Sequence, residues 1–267
     1  MYTLIIFFYS LGAHIAALFS KKVRLMIKGQ HETFDKLRRE IDADGYYVWV
    51  HAASLGEFEQ GRPLIERIRA AHPHIKILLT FFSPSGYEVR KNYEGADVVC
   101  YLPFDTPLNA RRFVRMANVK MAFFIKYEFW RNYIGALHRK GIPVYSVSSI
   151  FRPDQIFFKW YGKGYADCLR RITHFFVQND ASIELLKNLG ITAATKKIPP
   201  SRMAPLPTAR RGTPTARAEV RRPLPTRKTT PILISAQTAT RLTETVEQPT
   251  RIHLLTAPTR RTATSTF

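Results

Sequence analysis

Residues 46–58 read YYVWVHAASLGEF, and this stretch decides the fold. Apart from the closing histidine, its first six residues are aromatic or β-branched, a composition typical of a short buried strand. Beyond the turn, apolar residues at Phe58, Leu64, Ile65 and Ile68 recur at helical spacing. The stretch therefore predicts a strand that ends at His51, a tight turn, and a helix over 57–71.

The same alternation continues to residue 192. Strands are predicted at 46–51, 74–82, 97–102, 119–125, 142–147 and 173–177, and helices at 57–71, 84–92, 106–116, 129–139, 155–171 and 181–189. This order implies right-handed crossovers, so the predicted fold class is α/β with a Rossmann-like parallel sheet. Ligands of such sheets bind beyond the carboxyl ends of the strands. The sequence has neither a P-loop nor a GxGxxG motif, which leaves a dinucleotide site with little support.

The first twenty residues contain no Asp, Glu, Lys or Arg, and Lys21, Lys22 and Arg24 follow at once. This length allows a helix to enter or span a bilayer. No basic region precedes it, unlike a secretory signal, and the basic residues after it place the rest of the chain in the cytoplasm. We therefore expect residues 1–22 to form a membrane-anchor helix at the cytoplasmic face of the inner membrane. A buried core helix is the alternative.

Charge and composition divide the chain near residue 192. The whole chain has a net charge of +21, of which residues 193–267 carry +11, with Phe267 as their only aromatic residue and ten of the 17 prolines. Such a segment buries too little apolar area to offset the entropy of ordering, so 193–267 is predicted to be a disordered basic tail after a domain at 23–192. The charge also suggests a nucleic-acid binder, but base stacking requires aromatic residues, and we expect no nucleic-acid partner.

Cys100 and Cys168 show neither a disulfide framework nor metal-ligand spacing. Both lie in apolar or helical contexts, which favours buried reduced thiols. We expect no metal and no cofactor.

The turn after the first strand holds the first candidate site residues, Ser54, Gly56 and Glu57. Gly56 leaves space for a ligand, and Glu57 opens a helix whose dipole favours an ionised carboxylate. Such a carboxylate at a strand end can accept a proton from an attacking hydroxyl. The alternative is structural, because Ser54 and Glu57 also have the spacing of a capping box.

The segment after the fourth strand holds a second set, Glu128, Trp130 and Asn132. A carboxylate beside aromatic faces suits sugar binding, although a helix-terminal acid beside a core tryptophan explains the same pattern. If the two strands are neighbours, Glu57 and Glu128 face one cleft.

Three further positions remain open between a ligand role and a structural one. Arg152, after the fifth strand, is a candidate for binding a phosphate or carboxylate, or a solvated loop arginine. His51 either orients the cleft or is a satisfied histidine at a strand end. The segment 83–86 (SPSG) is a phosphate-binding helix start or an ordinary turn.

Three features together resemble the 3-deoxy-D-manno-octulosonic acid (Kdo) transferases of lipopolysaccharide synthesis. They are HAASLGEFEQGRPLIERI at 51–68, KYEFWRN at 126–132 and the uncharged amino-terminal anchor. The resemblance covers about residues 1–192. It implies the amino-terminal, acceptor-side domain of a two-domain GT-B glycosyltransferase that acts by inversion without a metal, with lipid A precursor as acceptor and CMP-Kdo as donor.

Carried over by motif, the resemblance implies that Glu57 is the general base and that Glu128 has a transition-state role. Glu128, Trp130 and Asn132 keep their places in the family pattern. The candidate substrate-binding residues, from the strand ends and this pattern together, are Ser54, Gly56, Trp130, Asn132 and Arg152. The sequence departs from the family pattern at Lys126, where the family has an acid, and at Arg131, where it has a proline.

The tail departs further, because the family continues with a second α/β domain. Its Thr, Pro, Arg and Ala bias suggests a frameshifted or truncated gene, whose product lacks the donor site. A non-catalytic, membrane-associated glycolipid-binding module is the alternative function.

Overall fold

The computed structural model describes residues 2–192 and 195–197. The helices are α1 Tyr2–Phe19, α2 Lys21–Glu40, α3 Leu55–Ala71, α4 Pro84–Arg90, α5 Pro107–Met116, α6 Arg131–Arg139, α7 Lys163–Leu169 and α8 Asp180–Asn188. The strands are β1 Tyr47–His51, β2 Lys76–Phe81, β3 Val98–Tyr101, β4 Val119–Ile125, β5 Val144–Ser149, β6 His174–Val177 and β7 Thr195–Lys197.

All described strand pairs are parallel, in the order β3-β2-β1-β4-β5-β6-β7. This arrangement confirms the predicted α/β class with a Rossmann-like parallel sheet. Each of the six predicted strands is present, and β4 has the predicted bounds, 119–125.

The helix predicted at 155–171 is wrong in its first half. Two 3₁₀ turns, Ile156–Phe158 and Trp160–Gly162, precede the short helix α7. Gly162 folds so closely onto the first turn that a Cβ atom there would overlap the carbonyl oxygen of Ile156. A continuous helix cannot make this contact, and helical spacing alone did not reveal the bend.

The sheet extends into the segment predicted to be a tail, because β7 pairs with β6. The rest of the predicted disordered tail, 193–194 and 198–267, lies outside the described residues. Helix α2 occupies a stretch for which the sequence pattern gave no assignment.

The sheet separates two apolar layers because successive strand residues point to opposite faces. Trp49 and Phe124 pack on one face with residues of α5, α6 and α8, whereas Val50 and Phe123 pack on the other with residues of α3. Two helical layers thus enclose the sheet, as expected for a doubly wound fold. The two cysteines are buried and unpaired, and burial raises the pKa of each thiol to about 12.

Helix α1 is docked on the domain by one face only. Its Tyr2 hydroxyl donates a 2.5 Å hydrogen bond to Asp105 Oδ2, and Tyr9 packs edge-on against Phe104. The remaining surface exposes large apolar side chains: Leu4, Ile5, Phe7, Phe8, Leu11, Ile15, Leu18 and Phe19. Among the described helices α1 alone has the length and apolar composition to cross a membrane, which is weak evidence for a span by itself.

Asp105 connects α1 to the sheet edge. Its carboxylate, fully buried, also accepts the backbone N–H groups of Asn132 and Tyr133 at the start of α6. Burial raises the pKa of Asp105 to about 6, and these hydrogen bonds oppose that rise.

We expect Tyr2→Phe to loosen α1 and to lower the free energy of unfolding by about 1 to 3 kcal/mol, because a buried carboxylate loses a donor. Tyr9→Phe is the matched control on the same helix, since Tyr9 contributes ring contacts. Hydrogen exchange of α1 and chemical denaturation measure both effects. Equal behaviour of the two variants would contradict the anchoring role of Tyr2.

Candidate active site at the β1–β4 switch point

The strand order reverses between β1 and β4, which are hydrogen-bonded neighbours with His51 opposite Phe124. The helix after β1 packs on one face of the sheet and the helix after β4 on the other. The two connections therefore diverge at the carboxyl ends of these strands, and such a switch point is where ligands of open α/β sheets bind.

Glu57 lies in the first turn of α3 and folds back over the end of β1. Its Oε2 accepts a 2.7 Å hydrogen bond from the Ala53 N–H. Ser54 is the N-cap residue, but its side chain makes no capping bond. The reciprocal capping box is therefore incomplete, and the Ser54 hydroxyl is not used for it.

The electrostatic surroundings of Glu57 raise its pKa to about 7. Burial is the largest cause, and the negative charge of Glu128 adds to it. The Ala53 N–H and the positive charge of Lys126 act in the opposite direction. A carboxyl group whose pKa lies near neutrality is well matched to accept and release protons.

Glu128 follows β4 and is held by Trp130. The indole Nε1 lies 2.7 Å from Glu128 Oε2 and 3.1 Å from His51 Nε2, so its single N–H points between the two acceptors. The Glu128 side chain is only 16% exposed, and its Oε2 lies 3.5 Å from His51 Nε2. Glu128 thus has a defined position in a partly desolvated site.

His51 is fully buried at the end of β1 and connects Glu128 to the sheet interior. Its Nδ1 lies 2.8 Å from Thr80 Oγ1, which also accepts the indole N–H of Trp49 at 2.8 Å. Both ring nitrogens of His51 therefore have partners, as a satisfied histidine at a strand end would, and its role in orienting the cleft stays a prediction. Thr80 and Trp49 gave no sequence signal, because they lie inside apolar strands.

Two non-glycine residues near this edge have positive φ angles, Lys126 at 62° and Ser148 at 66°. Such conformations are uncommon for residues with a side chain and persist only when the surroundings hold them. Ser149 Oγ donates to the Lys126 carbonyl at 2.7 Å, and Gln178 Nε2 donates to the Ser148 carbonyl at 2.8 Å. The strained backbone at Lys126 thus lies next to the site, where the positive charge of this residue lowers the pKa of Glu57.

The other predicted site residues divide by what they contact. Gly56 is exposed, and a Cβ atom there would meet nothing within 4 Å, so the chain itself does not require glycine. The Asn132 amide donates to the backbone carbonyl of Asp105, which fixes the loop before α6. Its role in substrate binding stays a prediction, as do those of Ser54, Gly56 and Trp130.

The described contacts of Arg152 do not include Glu57 or Glu128. Its side chain is exposed, and its backbone N–H bonds to Gln155 Oε1. Ser83 accepts the Ser85 N–H as an ordinary helix cap, which favours the turn interpretation of that segment. In the described part of the chain, no group of three or more His, Cys, Asp or Glu side chains is placed to hold a metal ion.

Similarity to known proteins covers the amino-terminal part of the chain. Kdo transferases from Haemophilus influenzae and Aquifex aeolicus are each 35% identical over 97 and 88 residues, which are 36% and 33% of this chain and 23% and 24% of theirs. The Bordetella pertussis enzyme is 27% identical over 55% of this chain and 36% of its own length. The chain therefore spans about a quarter to a third of these relatives.

Among solved structures, a UDP-N-acetylglucosamine 2-epimerase aligns with a TM-score of 0.44 at 11% identity, covering 57% of this chain and 47% of the epimerase. That likeness is too distant to carry an argument. The sequence profile of the 3-deoxy-D-manno-octulosonic-acid transferase (kdotransferase) family matches residues 21–200. The chain, with its two carboxylates at the β1–β4 switch point, belongs to the Kdo transferase family.

Proposed function

We propose that this chain forms the acceptor side of an inverting glycosyltransferase, which transfers Kdo from CMP-Kdo to lipid A precursor in lipopolysaccharide synthesis. The observation that carries the proposal is the raised pKa of Glu57 at the β1–β4 switch point, about 7, which burial causes first and the negative charge of Glu128 second. A base of this strength is half deprotonated near neutral pH, where it both accepts and releases a proton efficiently.

In the proposed reaction Glu57 removes the proton from the acceptor hydroxyl as its oxygen attacks the anomeric carbon of Kdo. The new carbon–oxygen bond forms as the bond from that carbon to the CMP phosphate breaks, and CMP leaves with the electron pair. Attack from the face opposite the leaving group inverts the anomeric centre. The proton remains on Glu57 until it returns to solvent.

Glu128 has two roles in this proposal. Its negative charge raises the proton affinity of Glu57, and it stabilises positive charge that develops on the sugar in the transition state. The Trp130 N–H and His51 hold it in place, so little reorganisation accompanies the reaction. Lys126 opposes part of the effect on Glu57 and keeps a fraction of that carboxylate ionised near neutrality.

We place the chain at the cytoplasmic face of the inner membrane. The exposed apolar surface of α1 supports this location, and Lys21, Lys22 and Arg24 follow that helix directly, where anionic headgroups would meet them. Arg152 is exposed and remains a candidate for contact with an anionic substrate group.

The donor site belongs, in this proposal, to a carboxyl-terminal domain like the one that completes the relatives' length. A membrane-associated glycolipid-binding module without transfer activity is the second candidate. Lipid A precursor binding together with radiolabel transfer from CMP-Kdo separates the two. Binding without transfer favours the module, and turnover by the chain itself excludes it.

We expect Glu57→Gln to lower transfer by about a hundredfold or more, because it removes the general base, and to leave acceptor binding largely intact. Transfer is measured in a chimera in which residues 1–192 are followed by the carboxyl-terminal part of the Haemophilus influenzae relative. In the unsubstituted chimera, transfer should rise with pH up to about pH 7 as Glu57 loses its proton. Glu66→Gln, an exposed change on the same helix, is the control. Wild-type turnover by Glu57→Gln would remove Glu57 from the mechanism.

The same substitution has a signature in stability. Because the folded-state pKa of Glu57 is raised, the native state binds this proton more tightly than the unfolded state between the ordinary glutamate pKa and about 7. Stability from this group is therefore lost as pH rises through that window. Glu57→Gln should be more stable than the parent at pH 8 by a larger margin than at pH 5, as measured by thermal unfolding. A pH-independent difference would contradict the raised pKa.

Gly56→Ala separates ligand approach from folding. In the described structure a methyl group fits there without contact, so we expect the helix to gain about 0.5 to 1 kcal/mol of stability. If the acceptor passes close to Gly56, the same variant binds lipid A precursor more weakly. Isothermal binding and denaturation measure the two effects, and unchanged affinity would remove Gly56 from the acceptor site.

A further inference from the structure

Thr80 of β2 lies one residue behind the candidate active site. It stands opposite His51 in the register of the β1–β2 pair, and both side chains are fully buried. The described hydrogen-bond partners of its hydroxyl are Trp49 and His51, not either carboxylate. Any effect of Thr80 on the site must therefore pass through His51.

The hydrogen bonds around His51 determine which ring nitrogen carries the proton. Its Nε2 lies 3.1 Å from the indole Nε1 of Trp130, whose N–H can only donate, so Nε2 is an acceptor. In a neutral ring the proton is then on Nδ1. Nδ1 lies 2.8 Å from Thr80 Oγ1, which accepts this N–H together with the indole N–H of Trp49. The hydroxyl oxygen thus uses both of its lone pairs.

The opposite tautomer of His51 would change how Glu128 is held. With a proton on Nε2, the ring would become a second donor toward Glu128 Oε2, which lies 3.5 Å away. It would also set an N–H against the N–H of Trp130 across 3.1 Å. The indole would have to turn, which disturbs its 2.7 Å bond to Glu128 Oε2. The position of Glu128 therefore depends on the tautomer of His51.

The packing around His51 keeps the ring from turning away from Thr80. Phe124 lies opposite on β4, with ring centroids 5.7 Å apart, and the Trp130 ring lies edge-on at 6.0 Å. The ring thus stands between Thr80 and Phe124, out of contact with solvent. A buried N–H without an acceptor costs free energy of folding, so the Nδ1 proton requires the Thr80 oxygen.

We propose that Thr80 is a positioning residue: its hydroxyl oxygen fixes the Nδ1–H tautomer of His51, and this tautomer holds the Trp130 N–H on Glu128. Buried support of this kind keeps a reacting group in place with little reorganisation. The tautomer itself does not depend on any reaction. Its consequence for transfer rests on the proposed function, in which Glu128 acts in the transition state.

Nitrogen-15 NMR of the full chain measures the tautomer, because protonated and unprotonated ring nitrogens give well-separated signals. His51→Gln identifies the signals of His51 by removing them. In the parent chain we expect a protonated Nδ1 and an unprotonated Nε2. Thr80→Ser keeps the hydroxyl and should show the same pattern.

Thr80→Val replaces the hydroxyl with a methyl group and keeps the branched shape. The Nδ1 proton of His51 then has no acceptor, whereas a proton on Nε2 has Glu128 Oε2 at 3.5 Å. We therefore expect this variant to change to the Nε2–H tautomer. The indole N–H signal of Trp130 should shift with it, because the two N–H groups compete for one carboxylate oxygen.

Thr33→Val is the matched control, because it also removes a buried threonine hydroxyl. Thr33 lies on α2, and its Oγ1 donates to the Tyr101 carbonyl at 2.8 Å. Both valine variants should unfold at a lower temperature than the parent, since each loses a buried hydrogen bond. Only Thr80→Val should change the signals of His51 and Trp130. The same change in both variants would contradict a specific role of Thr80.

Transfer by the chimera that contains residues 1–192 measures the consequence for catalysis. We expect Thr80→Val to lower kcat by about tenfold and to leave the acceptor KM nearly unchanged, because the misplaced Glu128 acts in the transition state. Thr80→Ser should restore most of the activity. Thr33→Val should have the rates of the parent.

Three results would overturn the proposal. They are a protonated Nε2 in the parent chain, a Thr80→Val variant whose His51 keeps the parent pattern, and a changed tautomer with unchanged kcat. Failure of the proposed function looks different, because Glu57→Gln would then keep its turnover or the unsubstituted chimera would show no transfer. The NMR comparison requires no substrate, so it decides the role of Thr80 toward His51 and Trp130 in either case.

Discussion

The parallel pairing of β1 with β4 is the constraint on which the site depends. Its register sets His51 opposite Phe124, so the two strands end at the same edge of the sheet. Their helices pack on opposite faces, and the two connections open a crevice between them. Glu57 and Glu128 come near enough there for their charges to interact, although 71 positions separate them in the chain. No local interaction could bring them together.

Holding two carboxylates in a partly desolvated crevice is unfavourable unless other groups compensate. The Ala53 N–H, the Trp130 N–H and the charge of Lys126 supply that compensation. The remaining penalty appears as the raised pKa of Glu57, to about 7. The network thus adjusts the proton affinity of Glu57, which is the property on which the proposed function depends.

Asp105 joins helix α1, with its exposed apolar surface, to the same edge of the sheet. It accepts hydrogen bonds from Tyr2 on α1 and from the first turn of α6, the helix that follows Trp130. The Phe104 ring beside it contacts both Tyr9 and Phe82. The position of α1 and the geometry around Glu128 are thus parts of one packed unit.

The sequence by itself determined the alternation of strands and helices, and hence the fold class, because burial on two faces of a parallel sheet leaves apolar runs that can be read directly. It also marked Glu57, Glu128 and Trp130, since polar residues directly after such runs fall at strand ends. The sequence did not predict the order of the strands in the sheet. Only the tertiary structure decided that β1 adjoins β4, because pairing is a long-range choice among similar strands. The contacts of His51 with Thr80, the positive φ of Lys126 and the bend at Gly162 were decided there too. The bend depends on a backbone contact between Gly162 and Ile156 that helical spacing does not encode, and the contacts of His51 and the backbone of Lys126 depend on residues more than twenty positions away.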